Sequence, residues 1–299
     1  HFTLEQVGRN SKGHFINFNG TAGVWRKKCI LDAGNWQGDT LTEDLDLSYR
    51  AQLKDWKFKY LVDVETPAEL PLVISAARSQ QFRWNKGGAE NFQKLIWRVL
   101  KDSKLSYKTK VHALLHLLNS TMFLTILMVG ILSIPMLYIK NEYEHLKYYF
   151  FAMSFFIIST FIFFICYWYS FKSIYGGGLK QFIKYIGLFF MFFTVAMGFS
   201  LHNSIGVLEG HFGKKSEFIR TPKFNVKKLK GSWKKNKYIS KNISSNVIIE
   251  GFLAIYFAFG MYSAFVVGDQ NGDFGLFPFH LMLFIGFSFV FFKSLTTRV

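Results

Sequence analysis

Apolar and polar positions follow two regimes along this chain, and the change falls near residue 110. Before it, apolar positions are interrupted every few residues. Phe15-Ile-Asn-Phe18 alternates between Gly13 and Gly20, which predicts a strand running into a tight turn. Gly20-Thr-Ala-Gly23 follows, then a helix from about Trp25 to Ala33, and Asn35-Trp-Gln-Gly-Asp-Thr40 reads as a loop. Thr42 is a good helix N-cap, with Glu43 and Asp44 in the first turn, where the helix dipole favours carboxylates. That helix carries Leu45, Leu47, Tyr49 and Leu53 and ends before Trp56. Lys57-Phe-Lys-Tyr-Leu-Val-Asp-Val64 alternates again and predicts a second strand, with Pro67 to Pro71 as a connector. Ile74 to about Leu100 has helical spacing broken at Gly87-Gly88. Its Trp84, Phe92 and Trp97 interleave with Lys and Arg, the pattern of a helix lying on a membrane surface.

After residue 110 the charges withdraw from long apolar runs. A spanning helix needs about 20 mostly apolar residues. The runs 112–139, 148–171 and 274–292 hold no Asp, Glu, Lys or Arg, and 251–268 is uncharged just after Glu250. Buried helices of a soluble protein would show shorter runs and amphipathic stripes. Between Gly213 and Lys241 lie eleven Lys/Arg against one acid, Glu217, and the positive-inside tendency places that stretch in the cytoplasm. Four spans, about 112–139, 148–171, 247–268 and 274–292, keep it there if the fifth apolar run, 185–208, is an interfacial or re-entrant helix. The acidic tip 268–273 is then external, and Lys293 and Arg298 return inside. Lys227–Lys241 suits anionic lipid headgroups.

The chain has 299 residues, half of them hydrophobic, with 36 Lys+Arg against 19 Asp+Glu and a formal charge of +17. Such an apolar chain is not disordered. Two cysteines, Cys29 and Cys166, exclude a disulfide scaffold. The basic excess sits beside spans, which favours a membrane surface over nucleic acid. Strand, glycine turn, helix and strand make residues 1–86 a piece of an α/β sheet, too few strands for a whole domain. The chain begins at His1, and the expectation is that the missing strands lie upstream. Residues 87–111 then form interfacial helices, and 112–299 the membrane domain with a basic loop at 209–245.

Three clusters could carry chemistry. Thr42-Glu43-Asp44 puts adjacent carboxylates at a helix start, with Asp46 two residues on; a solvated, capped helix end would look the same. Gln80-Gln-Phe-Arg83-Trp84 puts an amide, a guanidinium and an indole on neighbouring helical faces, as would amphipathic packing against lipid. Phe218-Ile-Arg-Thr221-Pro-Lys223 sets a hydroxyl and two cations around a Pro turn, as would any part of a basic patch. Together they supply one reaction: a carboxylate base for a hydroxyl, cations for a diphosphate leaving group, and an indole for a sugar face.

The order Phe-Asn-Gly-Thr, Thr-Glu-Asp, Gln-x-x-Arg-Trp and then spans resembles the processive family 2 glycosyltransferases, the cellulose, mannan and related β-glycan synthases. Asn19-Gly-Thr-Ala-Gly-Val-Trp-Arg26, Glu43-Asp-Leu-Asp-Leu-Ser-Tyr-Arg50 and Glu69-Leu-Pro71 are similar to the cellulose-synthase-like mannan synthases. The resemblance implies the C-terminal part of a GT-A nucleotide-sugar domain on a membrane channel, and a polysaccharide extruded from a nucleotide-diphospho-sugar donor, UDP-glucose or GDP-mannose. It makes Asp44 the general base, with Glu43 and Thr42 shaping the helix end. Gln80, Arg83 and Trp84 would sit at the channel mouth, Trp84 under the acceptor sugar and Arg83 facing the diphosphate. Gly20 and Thr21 would also contact substrate. Phe218, Thr221 and Lys223 resemble a gating loop, with Arg220 departing from its usual Val. A divalent cation, Mg or Mn, is implied for the longer protein, but the two upstream aspartate motifs of the family are absent from this sequence. Its membrane would be the cytoplasmic or inner membrane, or the Golgi of a eukaryote, with the catalytic part cytoplasmic. A non-processive transferase making a glycolipid, or a transporter or scaffold with a soluble regulatory segment, would share many of these features. The spans 112–139, 148–171 and 274–292 lack the interior charge that a solute path often needs.

Overall fold

The structure is a computed structural model that describes residues 2–71, 73–218, 220, 244–268 and 272–296. A π-helical turn, Phe2–Gln6, leads into α1 (Val7–Ser11), followed by α2 (Lys27–Asp32), α3 (Glu43–Gln52), α4 (Ile74–Lys101) and α5 (Tyr107–Leu117). The chain continues with α6 (Thr121–Glu142), α7 (Lys147–Met153), α8 (Ile157–Tyr175), α9 (Leu179–Gly198), α10 (Ser200–His211), α11 (Ser245–Val266) and α12 (Phe277–Thr296). Two compact units emerge: 1–124 with 202–239, and 125–201 with 240–299.

No strand occurs among the described residues, which corrects both predicted strands. A ladder needs a neighbouring strand's N–H and C=O groups, and in the first unit side chains take that place. Gln52 donates from Nε2 to the Ile16 carbonyl at 2.7 Å and accepts from the Ile16 N–H at 3.1 Å. Phe18 N–H donates to Ser48 Oγ at 2.9 Å. Asn10 does the same for the second segment, donating to the Phe58 carbonyl at 2.7 Å and accepting from Tyr60 N–H at 2.9 Å. Both segments are thus satisfied as extended chain.

Helix α4 organises this unit. It runs unbroken through Gly87-Gly88, against the expected break. The glycines serve close approach instead: a Cβ on Gly87 would lie 2.5 Å from Thr42 Oγ1 and 2.7 Å from Thr42 N. Leu95, Ile96 and Val99 pack with Phe15, Tyr49, Ala113 and Leu117 of α3 and α5 and their neighbours. Trp84 and Trp97 point outward. Beside that cluster, Cys29, Ala33, Leu47 and Ala51 bind α2 to α3, under Trp25, Trp56 and Phe58. Helix α10 meets α4 through small residues, since a Cβ on Gly206 would lie 3.1 Å from the Phe82 ring and one on Gly210 2.6 Å from the Lys86 carbonyl oxygen.

The apolar run 112–139 is two helices, α5 and α6, separated by a turn in which Thr121 N–H donates to the Leu118 carbonyl at 2.9 Å. The polar residues before the turn explain the split. His116 is tied to the fully buried Tyr49, its Nδ1 lying 2.7 Å from the Tyr49 hydroxyl, so α5 belongs to the first unit's core. The run 185–208 also divides, between α9 and α10.

Among the described residues, five helices are long and apolar enough to cross a membrane: Thr121–Glu142, Glu144–Tyr175, Leu179–Gly198, Ser245–Val266 and Phe277–Thr296. In the second unit they pack on small residues, as membrane helices do. A Cβ on Gly198 of α9 would strike the backbone of Gly286 on α12, and one on Gly260 of α11 would come within 2.7 Å of Ile134 on α6. Leu127, Ile134, Phe257, Leu283 and Phe287 fill the space between α6, α11 and α12.

Candidate active site

The site lies in the first unit, at the start of α3. Thr42 stands at the N-cap position, but its hydroxyl makes no capping bond to its own helix, which corrects the capping expectation. Asn91 of α4 holds it, donating from Nδ2 to Thr42 Oγ1 at 2.9 Å and to the Thr42 carbonyl at 3.0 Å. Glu90, one residue earlier, accepts from Leu41 N–H at 2.7 Å. Two neighbouring residues of α4 therefore fix the backbone entering α3.

Downstream of this anchor the carboxylates diverge. Asp46 is fully buried and committed to structure, with Oδ2 at 2.7 Å from Arg50 Nη2 and Oδ1 at 3.0 Å from Lys94 Nζ. Arg50 also donates to the carbonyls of Ala33 and Asn35, so this ion pair braces the loop behind α2. Asp44 is different. Its Oδ1 accepts the neighbouring Leu45 N–H, at 2.8 Å. The Gly20 turn lies against Oδ2, close enough that a Cβ there would be 3.2 Å away, and Gly20 sits at φ +74°, where a side chain is strained. Burial raises the Asp44 carboxyl to about 6; Glu43 adds to the rise, while the Leu45 N–H and Arg83 oppose it.

Arg83 of α4 faces both acids. Burial lowers its pKa, and Glu43 and Asp44 counter that. Its guanidinium lies over the Phe218 ring, 4.5 Å from the centroid, a cation–π contact. The structure thus brings together Asp44, Glu43, Gly20, Arg83 and Phe218 from four separate stretches of sequence. Thr21 is exposed, Gln80 is half-buried one turn before Arg83 on α4, and Trp84 is 49% exposed on another side of that helix. Thr221 and Lys223, with the Lys227–Lys241 run, lie outside the described residues.

Asn91, Glu90 and Lys94 escaped the sequence reading. Their signal was spacing: Arg83, Gly87, Asn91 and Lys94 recur at helical intervals, a polar stripe on the face of α4 turned to α3.

Comparison with known proteins gives the family. The family model described as glycosyl transferase family group 2 matches residues 2–171, which is 170 of the 299 residues. Glucomannan 4-beta-mannosyltransferase 1 of Oryza sativa subsp. japonica is 45% identical over 114 residues, 38% of this chain and 22% of that protein. Glucomannan 4-beta-mannosyltransferase 2 of Arabidopsis thaliana is 43% identical over 114 residues, 38% of this chain and 21% of its own length. The chain spans about a fifth of the length of these curated relatives. No solved structure matches it. With more than half of its residues matched by the family model, the chain belongs to glycosyl transferase family group 2.

Proposed function

We propose that this chain carries the acceptor-activating part of an inverting glycosyltransferase that elongates a β-linked polysaccharide, of β-1,4-glucan or mannan type, and extrudes it across a membrane. The carrying observation is Asp44: a carboxylate wedged against the Gly20 turn, raised to about 6 by burial, and faced by Arg83. A base of that strength is ionised at neutral pH yet closer to the proton affinity it must match than an ordinary aspartate. Asp44 takes the proton of the acceptor's terminal hydroxyl. That oxygen attacks the anomeric carbon of the donor, the bond from carbon to diphosphate breaks, and the configuration inverts in one displacement. Arg83 faces the departing diphosphate, with Phe218 stacked on its guanidinium. The relatives named as mannosyltransferases favour a mannosyl donor such as GDP-mannose over UDP-glucose. The five apolar helices favour a membrane setting, with lipid as a standing partner, for a GT-A type domain.

The divalent cation implied by the family does not fit the carboxylates described here. Asp46 is already shared between Arg50 and Lys94, and Asp44 faces the Gly20 turn.

The test is Asp44→Asn in the longest natural protein containing this sequence, assayed for mannose and glucose incorporation into polymer. Loss of incorporation with donor binding retained is expected. Undiminished incorporation overturns the assignment.

A further inference from the structure

We infer that Lys86, Glu209 and Ser216 form a seat that fixes the root of the segment carrying Phe218, so that the ring is presented to Arg83; the inference rests on the transferase reading above. Lys86 is fully buried in α4, where an ammonium is tolerated only if its hydrogens are taken up. Its Nζ donates to Glu209 Oε2 at 2.8 Å and to Ser216 Oγ at 2.5 Å, and lies 5.8 Å from the Phe82 ring centroid. Glu209, near the end of α10, accepts from Lys214 Nζ through its other oxygen at 2.5 Å. Burial pushes the Glu209 carboxyl up, but the hydrogen bonds from Lys214 and Lys86 outweigh it and hold it below the ordinary range. Gly213, at φ +72°, turns the chain out of α10, and Lys214 N–H returns to the Glu209 carbonyl at 2.9 Å.

The spacing gives this network its consequence. Lys86 and Arg83 stand three residues apart on α4, neighbours one turn along the same side. Ser216 and Phe218 stand two residues apart on the segment, a separation of at most about 7 Å. One cation therefore holds the root and the other receives the ring. Packing of α10 on α4 does not require this lysine, since Gly206 and Gly210 already make that contact. The bond to Ser216 reaches beyond α10 into the segment itself. Lys86 is a positioning residue: it touches neither acceptor nor donor.

The variants are Ser216→Ala, which removes one exposed hydroxyl, Lys86→Met, and Ser216→Thr, which restores the acceptor. In the membrane-embedded full-length protein, hydrogen exchange of residues 212–220 is expected to quicken in Ser216→Ala and Lys86→Met, with residues 95–99 unchanged. Ser216→Thr should exchange as the parent does. Donor KM should rise about tenfold in Ser216→Ala, kcat changing less than about twofold, the loss of one hydrogen bond that positions Phe218. Combined with Phe218→Ala, Ser216→Ala should add nothing further to KM. Unchanged exchange in Ser216→Ala, or a KM effect that multiplies with that of Phe218→Ala, overturns the seat. Absence of sugar transfer by the parent protein would overturn the transferase reading alone, because the exchange measurement needs no turnover.

Discussion

Asn91 holds Thr42 from outside its own helix, with one amide nitrogen at 2.9 Å from the hydroxyl and 3.0 Å from the carbonyl. The same nitrogen reaches the Gly87 carbonyl one turn back on α4, also at 2.9 Å. The start of α3, and with it Asp44, is therefore indexed to α4, the helix that bears Arg83. Acid and guanidinium keep their separation because a third residue ties their helices together.

Replacing Asn91 by Leu removes the amide donor from the half-buried Thr42 hydroxyl and leaves the Thr42 carbonyl to the Asp46 N–H at 3.2 Å. Unsatisfied buried groups cost about 1–3 kcal/mol each, so a fall in Tm of several degrees is expected, together with weaker acceptor transfer. A thermal melt and an incorporation assay check both. A variant as stable and active as the parent would mean that α3 is indexed by something else.

Gly87→Ala tests the same junction from the other side. The added methyl would meet Thr42 Oγ1 at 2.5 Å and its backbone nitrogen at 2.7 Å, neither of which lies at the end of a flexible chain. Overpacking of this kind costs about 1–3 kcal/mol. Gly88→Ala should be milder, since its Cβ would meet Ser120 Oγ only at 3.2 Å. Chemical denaturation of the pair should rank Gly87→Ala well below Gly88→Ala.

The pH dependence follows from Asp44. As a base it must be ionised, so incorporation should level off above about 6 and fall tenfold per unit below it. Stability runs the other way. The folded protein holds this proton up to about 6 while the unfolded chain releases it near 3.9, so stability is lost as pH rises through that window. Asp44→Asn should abolish incorporation yet raise the free energy of unfolding at pH 7 by up to about 3 kcal/mol, seen as a higher Tm, with the gain vanishing below pH 4. An acid limb that does not pass near pH 6 would remove Asp44 from the role of base.

Gln52→Met keeps the volume of the side chain but abandons the Ile16 N–H and carbonyl that the amide now serves at 3.1 and 2.7 Å. Ile16 is buried, so water cannot fully replace the amide. Faster proteolysis near residues 13–20 and a loss of about 1–3 kcal/mol are expected. Gln52→Glu retains one acceptor and should fall between.

Much of this protein was legible in one dimension because the relevant signals are local. Charge-free runs of spanning length, a carboxylate pair at a helix start, and Gln-x-x-Arg-Trp with helical spacing each lie within one element. Those signals carried the helices long and apolar enough to cross a membrane, Asp44 and Arg83 as candidate site residues, and the likeness to β-glycan synthases. Alternation also suggested strands at Phe15–Phe18 and Lys57–Val64, and there it misled. A strand is a property of two segments, and these two find their partners in the side chains of Gln52, Ser48 and Asn10. Gly87-Gly88 likewise reads as a break by propensity, whereas the approach of Thr42 gives those glycines their use inside a continuous helix. Sequence by itself determined which residues could do chemistry, since that depends on side-chain type and short spacing. Tertiary structure alone decided that Lys94 of α4 would join the helix neighbour Arg50 on Asp46 while Asp44 stayed available. It also set the Arg83 guanidinium over the Phe218 ring and within electrostatic reach of Asp44, because burial and charge pairing across helices depend on contacts that sequence distance does not encode.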